Sequence, residues 1–325
     1  MKVLVTGATG LVGSHLTEFL VKKGYDVRCL IQPSSDQSLL ENWGVEIRQG
    51  DIREAEILEK AVKGCQKVYH LAAKVAHPGI SYQTYYEVNV GGTINVTQAC
   101  LKNDVERLIY GSTTGVYGTI SNPPVNEKTP ANPDSPYRQT KWIAEQSIID
   151  AYRQEGLPVV TVRLTSVTGA RASHWSGLLR AISKGNFRGV GTGENHHHTV
   201  DVNDVVQGLL CCANTPNIEG ECYLIAHDHP IQFKALCNLM AEELGVNPIE
   251  MTNSIVPFKL FGDTAHFLYR SFGIKIPHGN RYDLFLSNKI LDISKAKKEL
   301  GYSPKVSIKE SIHYLVNWYQ KQEQT

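Results

Sequence analysis

Met1-Lys2-Val3-Leu4-Val5-Thr6-Gly7-Ala8-Thr9-Gly10-Leu11-Val12-Gly13 opens the chain and decides how the rest is read. The apolar run Val3 to Val5 stops at Thr6, and glycines follow at 7, 10 and 13. Leu11, Val12, Leu16, Phe19 and Leu20 then recur at helical spacing. The pattern predicts a buried strand, a tight turn and a helix start. A turn without side chains lets the backbone approach a ligand. The free N–H groups and positive dipole end of a helix start attract a pyrophosphate. The stretch therefore points to a dinucleotide, although a tight strand-to-helix turn with no ligand uses the same glycines.

Outward from the turn, strands and helices alternate. Strands are expected at Tyr25 to Ile31, Val45 to Arg48, Val68 to Ala73, Glu106 to Tyr110 and Pro158 to Leu164. Helices are expected at Glu54 to Val62, Tyr82 to Lys102 and Tyr137 to Arg153. Strands joined by helical crossovers make a parallel sheet covered on both faces. With a glycine turn after its first strand, the fold class is α/β, a doubly wound parallel sheet (Rossmann fold). After about residue 165 the alternation ends, and proline and histidine become more frequent. Residues 1–165 are expected to form the dinucleotide-binding part. Residues 166–325 are expected to form a smaller, mainly substrate-binding part, interleaved with the first.

The 325 residues are 42% hydrophobic and 20% charged, an ordinary globular composition. A formal net charge of +1 gives no reason to expect nucleic acid or a membrane surface as partner. The most apolar late stretch, Ile255 to Ile276, is interrupted by Lys259, Asp263, His266, Arg270 and Lys275, so no membrane span is expected. A core strand at the N-terminus leaves no room for a signal peptide. Seven scattered cysteines without a Cys-x-x-Cys pair read as reduced, mostly buried thiols of a cytoplasmic protein.

Chemistry enters with Tyr137 and Lys141. Four residues apart on a helix, they share one face. A phenol, with an ordinary pKa of about 10, is a poor base at neutral pH. A fixed ammonium one turn away favours the phenolate and brings it toward the working range. Pro136 fits a helix start, placing Tyr137 at the rim of the sheet. The fifth strand runs out into Ser112-Thr113-Thr114, and ligands bind at the carboxyl ends of strands in open α/β sheets. Hydroxyls there can hold a substrate oxygen while Tyr137 exchanges a proton with it. Lys74 and His77, beyond the fourth strand, are candidate substrate contacts. The run His196-His197-His198 does not read as a metal site. Neighbours in an extended segment point to opposite faces, and zinc needs three or four convergent ligands.

In chain order stand Gly7-x-x-Gly10-x-x-Gly13, Gly50-Asp51-Ile52, His70-Leu71-Ala72-Ala73, Asn89-Val90-x-Gly92-Thr93, Ser112-Thr113-x-x-Val116-Tyr117-Gly118, Tyr137-x-x-x-Lys141 and Val202-x-Asp204-Val205. Together they resemble the extended short-chain dehydrogenase/reductase family, also called the NAD-dependent epimerase/dehydratase family, over residues 1 to about 320. The resemblance implies that Gly7, Gly10 and Gly13 cradle the pyrophosphate and that Thr9, Leu11 and Val12 also bind the cofactor. It implies that Asp51 and Ile52 meet the adenine and that Leu71, Ala72 and Ala73 line the path to the nicotinamide. Thr113 takes the family's Ser/Thr position. Tyr137 is the implied acid/base, and Lys141 holds the nicotinamide ribose and lowers the tyrosine pKa. Relatives pair the helices after strands four and five into a four-helix contact, so a homodimer is expected.

The second strand ends Leu30-Ile31-Gln32-Pro33-Ser34-Ser35, with no acid to repel a 2′-phosphate and no arginine to attract one. Arg28 lies inside the strand. Gln32 can meet either ribose, and the turn leans to NADP, with NAD as the alternative. Nucleotide-sugar members usually carry Asn at Ser166 and Arg at His197, both ligands of a sugar-nucleotide diphosphate. The Gln32 turn and the segments Val200 to Val206 and Pro257 to Lys275 look closer to the 3β-hydroxysteroid dehydrogenase and dihydroflavonol reductase branches. By that analogy the chain reduces a ketone or aldehyde, or oxidises a secondary alcohol, of a small, fairly apolar metabolite. The tentative substrate contacts are then Lys74, His77, Thr114, Ser166 and His197. Nucleotide-sugar epimerase or dehydratase chemistry is the alternative. A dinucleotide sensor without turnover is a lesser one, since such proteins typically lose the Tyr-x-x-x-Lys pair.

Overall fold

The computed structural model describes residues 1–252 and 287–324, together with Thr264 and Ser271. Apart from those two residues, the stretch Pro257 to Lys275 lies outside the described residues. Seven parallel strands form the central sheet: β1 (Lys2–Thr6), β2 (Asp26–Ile31), β3 (Glu46–Gln49), β4 (Lys67–His70), β5 (Arg107–Thr113), β6 (Val159–Leu164) and a strand Cys222–Ile225 from the second half. Their order is Cys222–Ile225, β6, β5, β4, β1, β2, β3. The order reverses between β1 and β4, so the glycine turn leaves the sheet at its switch point, where such folds bind ligands.

The strands are apolar on both faces because both are covered. Leu16 and Leu20 of α1 (Leu11–Lys22) pack on one face. Val205, Val206 and Leu209 of helix Val202–Asn214 join them there. The other face takes α2 (Ala55–Val62), α3 (Gly92–Lys102) and α4 (Pro136–Glu155) through Leu58, Val96, Ala99, Ala144 and Ile148. A third core joins helices Ser176–Ser183, Phe233–Leu244 and Ile308–Glu323 through Leu179, Phe233, Met240, Leu315 and Tyr319. The second half of the chain thus builds its own core and also supplies the edge strand beside β6.

The expected elements are present with three instructive differences. β4 stops at His70, not Ala73, because Leu71 and Ala72 close onto Gly7 instead of continuing the ladder. β5 runs on to Thr113, carrying Ser112 and Thr113 to its carboxyl end. The helical run Tyr82 to Lys102 contains a π-helical stretch, Tyr86–Gly91, of the kind often found at functional sites. Arg28 is buried and donates to the carbonyls of Ala61 (2.6 Å) and Lys63 (2.8 Å), capping α2, so it takes no part in a ribose site. The seven cysteines form no disulfide; five are buried and Cys211 and Cys222 half-buried. Among the described residues no helix is long and apolar enough to cross a membrane.

Candidate active site

The three glycines of the opening turn do different jobs. Gly7 has φ +74°, and a Cβ on it would stand 2.7 Å from Ala72 N. A Cβ on Gly13 would stand 2.1 Å from the Gly7 carbonyl oxygen. Both glycines are therefore required for the chain to pack against itself. Gly10 differs: a Cβ there would meet only the Gly7 oxygen, at 3.2 Å, and otherwise face open space. Gly10 is exposed, and it is the N-cap of α1 with no side chain capping the helix. An open, uncapped helix start with donors facing out fits a diphosphate. Thr9 is exposed on the same turn, with Leu11 and Val12 half-buried behind it.

At the end of β2, Gln32 is exposed and donates its amide to Asp51 Oδ2 at 2.9 Å. Arg53 grips the same carboxylate at 2.9 and 3.0 Å and holds the Asp51 pKa below its ordinary value. Ile52 is buried, and Gly92 admits its side chain, since a Cβ there would stand 2.5 Å from Ile52 Cδ1. Leu71, Ala72 and Ala73 are half-buried and follow β4 beside the turn.

The candidate reacting groups lie where β5 ends against α4. Ser135 caps α4 by accepting from Arg138 N, and Pro136 occupies its first turn. Tyr137 is thereby fixed in the first turn and Lys141 one turn along. Lys141 is 3% exposed; its Nζ donates to the Gly111 carbonyl at 2.7 Å and lies 4.2 Å from the Tyr110 ring centroid. Alternation along β5 separates two adjacent hydroxyls. Ser112 Oγ donates to buried Glu145 at 2.6 Å, whereas the Thr113 hydroxyl accepts from Gly115 N at 3.0 Å and is among the groups acting on the Tyr137 phenol.

The electrostatics depart from the sequence expectation. Burial pushes the Tyr137 phenol up to about 12, opposed by the Thr113 hydrogen bond and the Arg138 charge. Burial pushes Lys141 down to about 7, with Glu145 opposing. The groups that favour the phenolate here are Thr113 and Arg138; the expected lowering by Lys141 is not among them. Burial of the phenol outweighs both, and the Lys141 ammonium is engaged by the Gly111 carbonyl.

Asn89, in the π-helical stretch, brackets Lys74: its Oδ1 accepts from Lys74 N (2.8 Å) and its Nδ2 donates to Lys74 O (3.2 Å). Asn89 also donates to Thr140 of α4 at 3.2 Å. Tyr85 accepts from His77 N, donates to His77 O, and sets its ring edge-on to Tyr137 at 6.3 Å. The backbone of Lys74 and His77 is thus tied to the site while both side chains are exposed, and the His77 ring lies 2.8 Å from Pro78 O. Thr114 opens a 3₁₀ turn, Thr114–Tyr117, directly after Thr113. Ser166 is exposed and pairs with Thr199 between two short parallel strands. His197 is buried, edge-on to Phe233 at 5.8 Å and 2.7 Å from the Asn195 amide. Among the described residues no group of three or more His, Cys, Asp or Glu is placed to hold a metal. Sequence reasoning did not find Tyr85, Glu145 or Arg163 at this site. Asn89 stood in a quoted motif, which gave no hint that it clamps Lys74.

With this geometry in hand, comparison with known proteins is direct. Residues 3–226 match the NAD dependent epimerase/dehydratase family. The 3beta-hydroxysteroid-dehydrogenase/decarboxylase isoform 1 of Arabidopsis thaliana is 30% identical, covering 95% of this chain and 77% of that protein. The putative UDP-glucose 4-epimerase of Methanocaldococcus jannaschii is 28% identical, covering 99% of this chain and 100% of that protein. The crystal structure of gox2253 superposes with a TM-score of 0.84 at 27% identity, over 99% of both chains. The chain belongs to the NAD-dependent epimerase/dehydratase family of extended short-chain dehydrogenases/reductases, and it is an enzyme of that class.

Proposed function

We propose that this enzyme reduces a ketone or aldehyde, or oxidises a secondary alcohol, of a small and largely apolar metabolite. The observation that carries the reading is Thr113 at the end of β5, with Tyr137 in the first turn of α4 and buried Lys141 one turn along, at a strand end near the switch point. A bound nicotinamide dinucleotide supplies the hydride transfer. The N–H groups at the start of α1 hold its diphosphate. Thr113 and Tyr137 hold the substrate oxygen, and Tyr137 gives a proton to that oxygen in reduction or takes one in oxidation. Lys141 holds ribose hydroxyls; once turned from Gly111 toward the phenol, its charge favours the phenolate.

NADP is proposed over NAD because position 32 is a glutamine and not an acid. The Asp51 carboxylate bonded to Gln32 works against that choice, and Arg53 offsets it. The apolar substrate rests on Ser166 and His197 standing where relatives holding a sugar diphosphate carry Asn and Arg, and on the likeness to a steroid dehydrogenase. The full-length likeness to a putative UDP-glucose 4-epimerase supports epimerisation as the second reading. A homodimer through α3 and α4 and a cytoplasmic location are also proposed. Ile94, exposed on α3, suits the first, and seven unpaired cysteines suit the second.

The test has two stages. Affinities for NADPH and NADH are measured by calorimetry, and the preferred one is then offered with a panel of apolar ketones and aldehydes at 340 nm. Oxidation of the reduced dinucleotide is expected. Interconversion of UDP-glucose and UDP-galactose by protein with co-purified NAD would replace this reading with epimerisation. Tight binding with no turnover of any carbonyl or sugar nucleotide would leave a sensor.

A further inference from the structure

Beside the reacting groups lies a buried charged network that none of these steps uses. Glu145 stands on α4 one turn beyond Lys141 and is 2% exposed. Besides Ser112, its carboxylate accepts from Arg163 Nε at 3.1 Å and from Arg163 Nη2. Arg163, on β6, is buried too and donates to Tyr117 Oη at 2.7 Å, and Tyr117 Oη donates to Asn126 O at 2.8 Å. One carboxylate thus ties α4 to β5 through Ser112 and to β6 through Arg163, and Arg163 carries the link on to Tyr117 in the turn after β5.

Stability alone is a poor reason for such a pair, because replacing a buried ion pair with apolar residues is often neutral or stabilising. Its contacts suggest another reason. Ser112 precedes Thr113, so holding Ser112 on one side of β5 turns Thr113 to the other, where Tyr137 is. Residues four apart share a helix face, so Glu145 is also the carboxylate that lies next to Lys141 along α4.

We propose that Glu145 is a positioning residue of this active site: it holds the Ser112–Thr113 strand end against α4 and serves as the counter-charge of Lys141. The inference rests on the oxidoreductase reading given above. Other ionisable groups packed around the pair are Tyr110 of β5, His70 of β4, Tyr117 and Cys222, with Tyr137 and Arg138 on α4 itself. Burial leaves His70 unprotonated and the buried phenols and thiol protonated at neutral pH; Glu145 and Arg163 form the ion pair there, and Glu127 meets Arg163 through its backbone carbonyl. The direction of the Glu145 influence on Lys141, upward against burial, agrees with the geometry.

The decisive measurement is an NMR titration of lysine labelled at Cε, with the Lys141 signal assigned by its loss in Lys141→Met. In Glu145→Gln the Lys141 midpoint is expected to fall by about one pH unit or more. A buried guanidinium left unpaired destabilises strongly, so Glu145→Gln/Arg163→Met is titrated alongside. Its midpoint is expected to fall by less, since losing the Arg163 charge favours the Lys141 ammonium while losing the nearer Glu145 charge disfavours it. Glu145→Asp, which keeps the charge, is expected to hold the wild-type midpoint within a few tenths of a unit, an order-of-magnitude bound. Unchanged midpoints in folded Glu145→Gln or in the folded double variant would overturn the proposal. The titration needs no substrate, so its failure leaves the assigned reaction standing, and a failed carbonyl panel leaves the titration standing.

Discussion

The glycine turn at the end of β1 and the hydroxyl cluster at the end of β5 lie two strands apart, yet they are built in opposite ways. The turn is a backbone structure. Its geometry is set by what is missing: a Cβ at Gly13 would sit 2.1 Å from the Gly7 oxygen, and one at Gly7 2.7 Å from Ala72 N. The cluster is a side-chain structure. Lys141 is held by Gly111, and Ser112, next to Thr113, is held by Glu145, which Arg163 holds in turn. At the first end Gly7 and Gly13 leave no room for an added carbon, and the second end is fixed by polar contacts.

The largest expected effect comes from removing one atom at the second end. Tyr137→Phe is expected to lower kcat by roughly 10²–10⁴-fold while dinucleotide affinity stays near wild type. Steady-state kinetics and calorimetry check this, and a variant with wild-type turnover would remove Tyr137 from the proton transfer. Next comes the addition of one carbon at the first end. Gly13→Ala is expected to cost about 1–3 kcal/mol in denaturant unfolding and to abolish dinucleotide binding. Gly10→Ala, whose Cβ meets little, is expected to keep its stability and lose affinity only. If the two alanine variants behaved alike, the division between packing glycines and a ligand-facing glycine would fail.

The smallest effect concerns His70, which joins the two ends. Thr93 donates to Asn89 O at 2.6 Å and so accepts from His70 Nε2, while Thr6 and His70 Nδ1 stand 2.8 Å apart. Thr6 in turn accepts from Ala72 N at 3.3 Å, beside the glycine turn. Burial lowers the His70 pKa from 6.5 to about 3. The unfolded chain therefore binds the proton first. This contribution to stability is complete above pH 6.5 and is lost as pH falls toward 3. Melting temperatures across that window should fall more steeply in wild type than in His70→Gln. Equal slopes would mean that His70 does not carry the acid sensitivity.

The same contrast explains how much could be read in advance. The glycine turn was legible because a position that excludes every side chain leaves a single residue type, and its spacing survives in the sequence. Tyr137 and Lys141 were legible because α4 alone sets their separation. The choice of Thr113 over Ser112 came only by resemblance, and nothing local showed that Ser112 turns toward Glu145. Tyr85, Glu145 and Arg163 were missed because a tyrosine, a glutamate and an arginine are common on solvated faces, and nothing local marks them as buried or as neighbours of the site.

By itself, then, the sequence determined the parallel α/β sheet, the glycine turn and the Tyr-Lys pair, since each follows from local periodicity or from a steric rule acting within a few residues. Tertiary structure alone decided that β4 stops at His70, that Arg28 caps a helix, that Asn89 clamps Lys74, and that burial raises Tyr137 and lowers Lys141. Those outcomes depend on which strands and helices come together, and desolvation acts only once they do.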